Sequence, residues 1–222
     1  MKKLLGSLRK KEQPSGSRSE ASSLDGGAGC GYGLRRKGLS KLHRAAACGD
    51  MRTLSAQVKK LDLNQLDKAH RTPLHLACAY GSTNAVTFLV DKKCQLNLCD
   101  NDGRSPLIKA VQCQEMFCVG YLLQHDADPN VVDLDSNTAL HFAASNFSIS
   151  IAEKLLEYNA NIDALNKDGN TPLMLAVAGS KQEMAEFLLK KGASVHIKDN
   201  SGSMEEFFRM SDAEFQKLKV QE

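Results

Sequence analysis

The sequence predicts an all-α solenoid of about five helix-turn-helix repeats, and three observations lead there. A 33-residue step runs through the middle of the chain: Asp67, Asp100, Asp133, Asn166 and Asp199 keep it, as do Leu74, Leu107, Leu140 and Leu173, and Ala77, Ala110, Ala143 and Ala176. Within most copies a hydroxyl residue stands before proline, as in Thr72-Pro73, Ser105-Pro106 and Thr171-Pro172. Each period also holds two short apolar stripes at helical spacing, the second keyed by Leu89, Leu122, Leu155 and Leu188.

The elements follow in order. An array over residues 38–200 divides into repeats at about 38–66, 67–99, 100–132, 133–165 and 166–198. The first is one residue short, with Leu42, His43 and Ala45 matching Leu74, His75 and Ala77 at a step of 32. The hydroxyl caps the first helix by accepting from an orphan backbone N–H, and proline at the first helical position has no N–H to leave unpaired. Leu74 and Ala77 then mark the first helix; Val86, Leu89 and Val90 mark the second. Gly49 and Gly81 fall between the two helices, where a positive φ closes the turn. Gln114, Phe147 and Ser180 occupy that position in later copies, with Gly179 one residue early. A phenylalanine in the left-handed region is costly, so the fourth repeat is expected to use a different turn. Asp100-Asn101-Asp102-Gly103 and Asn166-Lys167-Asp168-Gly169 read as tight turns between repeats. One helix pair cannot bury its apolar side alone, and stacking on its neighbours covers it.

Composition narrows the function. The chain has 222 residues, 42% hydrophobic and 25% charged, with a formal charge of +3. Residues 1–37 carry nine Lys/Arg against three Asp/Glu, whereas residues 38–200 carry 17 against 18. The body is near neutral, which argues against nucleic acid as a ligand of the array. Thr72–Val90 runs 19 residues without a charge. It contains Pro73, His75, Gly81, Ser82 and Asn84, so it reads as two helices and a turn rather than a membrane span. Seven cysteines and no signal peptide at Met1–Lys11 imply reduced thiols and a cytoplasmic protein, with the nucleus or the inner membrane surface as alternatives.

The two ends differ from the array. Residues 1–37 are expected to form a disordered basic leader, rich in Ser, Gly and charge. Its first eleven residues set Leu4, Leu5 and Leu8 among Lys2, Lys3, Arg9, Lys10 and Lys11, which would give weak contact with an anionic membrane. Residues 201–222 drop the Thr-Pro-Leu pattern and read as a degenerate sixth repeat or a helical cap. Ser203-x-x-Glu206 and Ser211-x-x-Glu214 are its capping boxes, and a partner-binding helix is the alternative reading.

No arrangement of residues points to catalysis. His43, His75 and His141 share one repeat position beside a helix N-terminus, and no nucleophile recurs with them, so a structural hydrogen bond is the expectation. Cys94/Cys99 and Cys113/Cys118 are both C-x₄-C. Cys94 occupies the position held by Ala127, Ala160 and Ala193, which makes it a small buried hydrophobe rather than a zinc ligand. No phosphate-binding glycine loop, HExxH pair or GxSxG elbow is present. The expectation is a protein that is not an enzyme, with no metal, no cofactor and no small-molecule substrate.

These residues resemble the ankyrin repeat. Thr72-Pro73-Leu74-His75-Leu76-Ala77 matches its signature in full, and residues 137–143 and 170–176 match closely, with Ile108 and Met174 replacing the motif His and Ala139 the Pro. KLHRAA (41–46), RTPLHLACA (71–79), SPLIKAVQCQE (105–115) and EKLLEY (153–158) are similar to the POTE-type group of vertebrate ankyrin repeat domain-containing proteins. The chain looks like a short or truncated member without that group's coiled coil. The resemblance implies a non-catalytic interaction module or scaffold that holds a protein partner on a concave face. That face is built from turn tips and first-helix ends. Carried over by position, the tips are Lys68, Arg71, Asn101, Arg104, Leu134, Asn137, Lys167 and Asn170. The helix ends are Tyr80, Gln112, Cys113, Ser145 and Asn146. Arg71, Tyr80 and Arg104 are the residue types that most often anchor interfaces. A merely solvated face stays open as the plainer reading, and tethering to a membrane surface or nucleic acid through the leader is the alternative function.

Overall fold

The structure is a computed structural model that describes residues 39–58 and 62–197. The expected disordered leader and the expected C-terminal cap lie outside the described residues. Within them the chain forms ten helices in five pairs, and no strand. The first helix of each pair belongs to an inner row: α1 (Lys41–Cys48), α3 (Pro73–Ala79), α5 (Pro106–Gln112), α7 (Ala139–Ser145) and α9 (Pro172–Ala178). The second belongs to an outer row: α2 (Met51–Val58), α4 (Thr83–Asp91), α6 (Met116–Gln124), α8 (Ile149–Glu157) and α10 (Gln182–Lys190). Each inner helix packs on its own partner and on the inner helices before and after it.

The helix starts are those the hydroxyl residues dictate. Ser40, Thr72, Ser105 and Thr171 accept from the backbone N–H three residues on, and Pro73, Pro106 and Pro172 fill the first turn. Between the rows lies one continuous core. Leu74, Leu107, Leu140 and Leu173 of the inner helices meet Leu89, Leu122, Leu155 and Leu188 of the outer ones, all fully or almost fully buried. Each contributes roughly 1.5–3 kcal/mol by transfer from water, as an upper bound.

Three left-handed residues shape each full repeat, and they too keep the 33-residue step. His70, Gly103, Ser136 and Gly169 close the tips; Gly81, Gln114, Phe147 and Ser180 turn the chain between helices; Lys93, Asp126, Asn159 and Gly192 end the outer helices. The different turn expected at Phe147 is therefore corrected. Phe147 has φ +56°, close to the +60° of Gly81, and Ser180 rather than Gly179 takes the left-handed position in the fifth repeat. Packing of the flanking helices in the array overrides the local preference of the side chain. Phe147 N–H also closes onto the Ala144 carbonyl, the bond Gly81 makes to Cys78.

The three motif histidines connect neighbouring repeats. In α3, the Thr72 backbone N–H donates to Nδ1 of His75 (3.1 Å), so Nε2 carries the proton and donates to the Arg104 carbonyl in the next tip (2.9 Å). His43 reaches the Arg71 carbonyl (2.8 Å) and His141 the Asn170 carbonyl (3.0 Å) in the same way. Burial holds the His75 imidazole down at about 4, and lowers His43 and His141 as well. A neutral ring with both nitrogens occupied is a structural link and a poor acid–base catalyst.

Candidate partner-binding surface

The tips are built on one acidic or amide residue each. Asp67 Oδ1 accepts from the backbone N–H of Ala69 and Arg71, Asp100 from Asp102 and Arg104, Asp133 from Asp135 and Asn137, and Asn166 from Asp168 and Asn170. These bonds, together with the Arg71 guanidinium at 2.6 Å, hold the Asp67 carboxyl below the usual carboxylate range despite its burial. Adjacent tips are then tied by main-chain bonds: Asn101 N–H to Ala69 O, Leu134 N–H to Asp102 O, and Lys167 N–H to Asp135 O, at 2.9–3.1 Å. Gly103 is required here. A Cβ on it would lie 2.8 Å from the Leu134 nitrogen.

The residues singled out from the sequence fall into two lines along this edge. Lys68, Asn101, Leu134 and Lys167 are exposed at the tips, and Leu134 is 60% exposed. Arg71, Arg104, Asn137 and Asn170 are half-buried beside them. The second line runs along the C-terminal ends of the inner helices through Tyr80, Gln112, Cys113, Ser145 and Asn146. There the Asn146 amide donates to the Gln112 carbonyl (3.3 Å) across a repeat boundary, and in the tip line the Asn166 amide donates to Asn137 Oδ1 (3.0 Å). The two lines are held by bonds between repeats, so their spacing is set by the stack.

A third line, which the sequence reading missed, lies between them. Leu76, Lys109, Phe142 and Leu175 share one position on successive inner helices, a turn before the helix ends. Lys109 is 2% exposed where apolar residues stand in the other three, and its ammonium donates to Gln112 Oε1 (2.9 Å). Burial, with Arg104 nearby, brings it down to about 8. Arg104 lies over the Phe142 ring at 5.9 Å, pairs with Asp102 (3.1 Å) and approaches Asp133 (3.9 Å). Its Nε is buried and makes no hydrogen bond. The only sequence signal for this line was a lysine in a leucine column.

The buried thiols are poor nucleophiles. Cys78 and Cys118 are fully buried against one another, and burial pushes the Cys78 thiol well up. Cys94 is buried in its alanine position and is raised to about 12, while Cys99 is exposed in the loop beyond it. Cys78, Cys94, Cys99 and Cys118 form no disulfide among the described residues. Cys113 follows α5 and is half-exposed. No described helix is long and apolar enough to cross a membrane.

Comparison with known proteins agrees with this architecture. The family described as Ankyrin repeats (3 copies) matches residues 42–133 and 118–199, most of the chain. Human ankyrin repeat domain-containing protein 7 is 56% identical over 64 residues, which is 28% of this chain. The chain spans about a quarter of the length of that curated relative (25%). With capped helix pairs, inter-repeat histidine bonds and tied tips in repeated register, and a family match over the same residues, the chain belongs to the ankyrin repeat family.

Proposed function

We propose that this array is a non-catalytic scaffold that holds a protein partner along the concave side formed by its tips and inner helices. Ankyrin repeats are in general protein–protein interaction modules. One observation carries the finer reading: Arg104 is fixed above Phe142 with a buried, unbonded Nε, beside tips already locked by main-chain bonds. Side chains ordered before binding lose less entropy when a partner arrives. Arg71, Tyr80 and Arg104 are the proposed anchors, with Lys68, Asn101, Gln112, Leu134, Asn137, Asn146, Lys167 and Asn170 around them.

Co-purification of the full chain and of an Arg71→Ala/Tyr80→Ala/Arg104→Ala variant tests this. The proposal expects partners recovered by the wild type to be lost or sharply reduced with the variant, at equal helicity. Equal recovery by both would reject the concave assignment. The stretches at 41–46, 71–79, 105–115 and 153–158 support a finer grouping with the POTE-type proteins.

A second reading rests on charge. The leader at residues 1–37 has a net charge of +6, and it supports tethering to an anionic membrane surface or nucleic acid. Vesicle flotation of the full chain beside one starting at Gly38 decides it, since equal flotation of both removes the tether.

A further inference from the structure

We infer, resting on the concave assignment proposed above, that the partner presents an acidic segment whose carboxylates lie along Arg44, Lys68 and Arg104 in the first three repeats.

Charge is distributed unevenly along the array. Residues 38–124 carry eleven Lys/Arg against seven Asp/Glu, whereas residues 125–170 carry two against eight. The concave side follows the same gradient. Its floor column, Leu76, Lys109, Phe142 and Leu175, begins one period earlier with Arg44 on α1. At the tips Lys68, Arg71 and Arg104 belong to the second and third repeats, and the arginine column then turns to amides at Asn137 and Asn170.

These cations differ in how far the fold already neutralises them. Arg71 is committed: its guanidinium meets Asp67 at 2.6 Å and its side chain is only 13% exposed. Arg44 and Lys68 are exposed and form no ion pair among the described residues. Arg104 pairs with the exposed Asp102 at 3.1 Å, yet 27% of its side chain stays accessible. Lys109 is buried nearby, where Arg71 and Arg104 act against its charge and Asp100 and Asp102 support it. Asp67, Asp100 and Asp133 each accept from two backbone N–H groups, which commits them to the turns. A carboxylate is the complement of such a set, since a guanidinium receives it through paired N–H groups.

The same gradient favours a protein segment over a nucleic acid. A phosphate backbone is charged along its whole length. Continued past Arg104, it would meet the exposed Asp135 and Asp168 at the following tips, with Phe142 and Leu175 in the floor. A polypeptide can be acidic across three repeats and apolar or neutral beyond them.

Fluorescence anisotropy with a labelled ten-residue polyglutamate peptide and the full chain is the test. Exposed pairs are weak singly and screened by salt, so binding at about 50 mM salt should be lost at about 500 mM. Arg44→Ala/Lys68→Ala/Arg104→Ala should bind about tenfold or more weakly than wild type. None of the three side chains is in the core, and equal far-UV circular dichroism checks the fold. Arg9→Ala/Lys10→Ala/Lys11→Ala removes as many cations from the leader and should cost less than about twofold. Equal losses in the two variants, a loss confined to the leader variant, or no binding at low salt overturns the inference. So does a ten-residue oligothymidylate that binds more tightly than polyglutamate and depends on the same three residues. If polyglutamate fails to bind while Arg71→Ala/Tyr80→Ala/Arg104→Ala still loses its partner, the acidic class is rejected and the concave assignment stands.

Discussion

Lowering the pH from 7 to 5 should destabilise this array measurably, and His75 should carry much of the loss. Its imidazole is fully buried, accepts from Thr72 through Nδ1 and donates to Arg104 through Nε2, and sits at about 4 in the fold against an ordinary value of 6.5. The unfolded chain therefore binds a proton at this site before the folded chain does. The stabilisation is complete above pH 6.5 and drains away as the pH falls towards 4. With those two values the loss at pH 5 is on the order of 2 kcal/mol, enough to lower Tm by roughly 4–8 °C in a domain of this size. His75→Gln can keep hydrogen bonding without titrating. Urea titrations followed by far-UV circular dichroism at pH 7 and 5 should show His75→Gln less stable at pH 7 but with a pH-dependent loss about 2 kcal/mol smaller. An equal loss in wild type and variant would refute the reasoning. Asp67, whose carboxyl is held low, loses its contribution only below the ordinary carboxylate range and stays out of this window.

Three further substitutions probe the repeat geometry. Phe147→Gly should raise Tm by a few degrees, because relieving a left-handed phenylalanine is worth about 1–2 kcal/mol and the ring loses only its packing and the Lys181 ammonium at 5.9 Å. An unchanged or lower Tm would show that the strain is offset. Gly103→Ala should cost about 2 kcal/mol or more, since φ is +74° and the new Cβ would press on the main chain of the next tip; calorimetry showing a neutral change would contradict the tied-tip geometry. Lys109→Leu restores the residue found at Leu76 and Leu175 and should add about 1–3 kcal/mol at pH 7. The ammonium titrates at about 8 in the fold, below its usual 10.5, so wild-type stability climbs between those values and the advantage of the variant narrows. A constant difference from pH 7 to 10 would show that desolvation of the charge is not the cause.

How much of this was legible in the sequence depends on what each residue reports. Thr72-Pro73 and its relatives announce helix starts by a local mechanism, and the caps lie where they were expected. The inter-repeat histidine link was legible as well, because a buried ring beside a helix start needs two partners. Phe147 was not, because local preference argues against its backbone and only the stacking of neighbours overrides it. Asn64, Asn97, Asn130 and Asp163 keep the 33-residue step too, and each accepts from a backbone N–H in the following repeat, Gln95, Asp128, Asn161 and Ser194, at 2.8–3.0 Å. That ladder was present in the spacing and overlooked, since a loop asparagine looks like an ordinary turn residue. The floor of the candidate surface escaped for another reason. Leucine at position 76 reads as core, and nothing in one helix reveals that the same column, through Lys109 and Phe142, runs between the tips and the helix ends.

Site-specific photocrosslinking in cells tests the central claim most directly. A photoreactive residue is placed in turn at Arg104 and Gln112 on the inner row, and at Ser150 and Glu183 on the outer row. The account predicts covalent adducts with a shared partner protein from the inner positions and none of that mass from the outer pair. Adducts with the same partner confined to the outer positions, or an inner row that captures nothing while the array is folded, would contradict it.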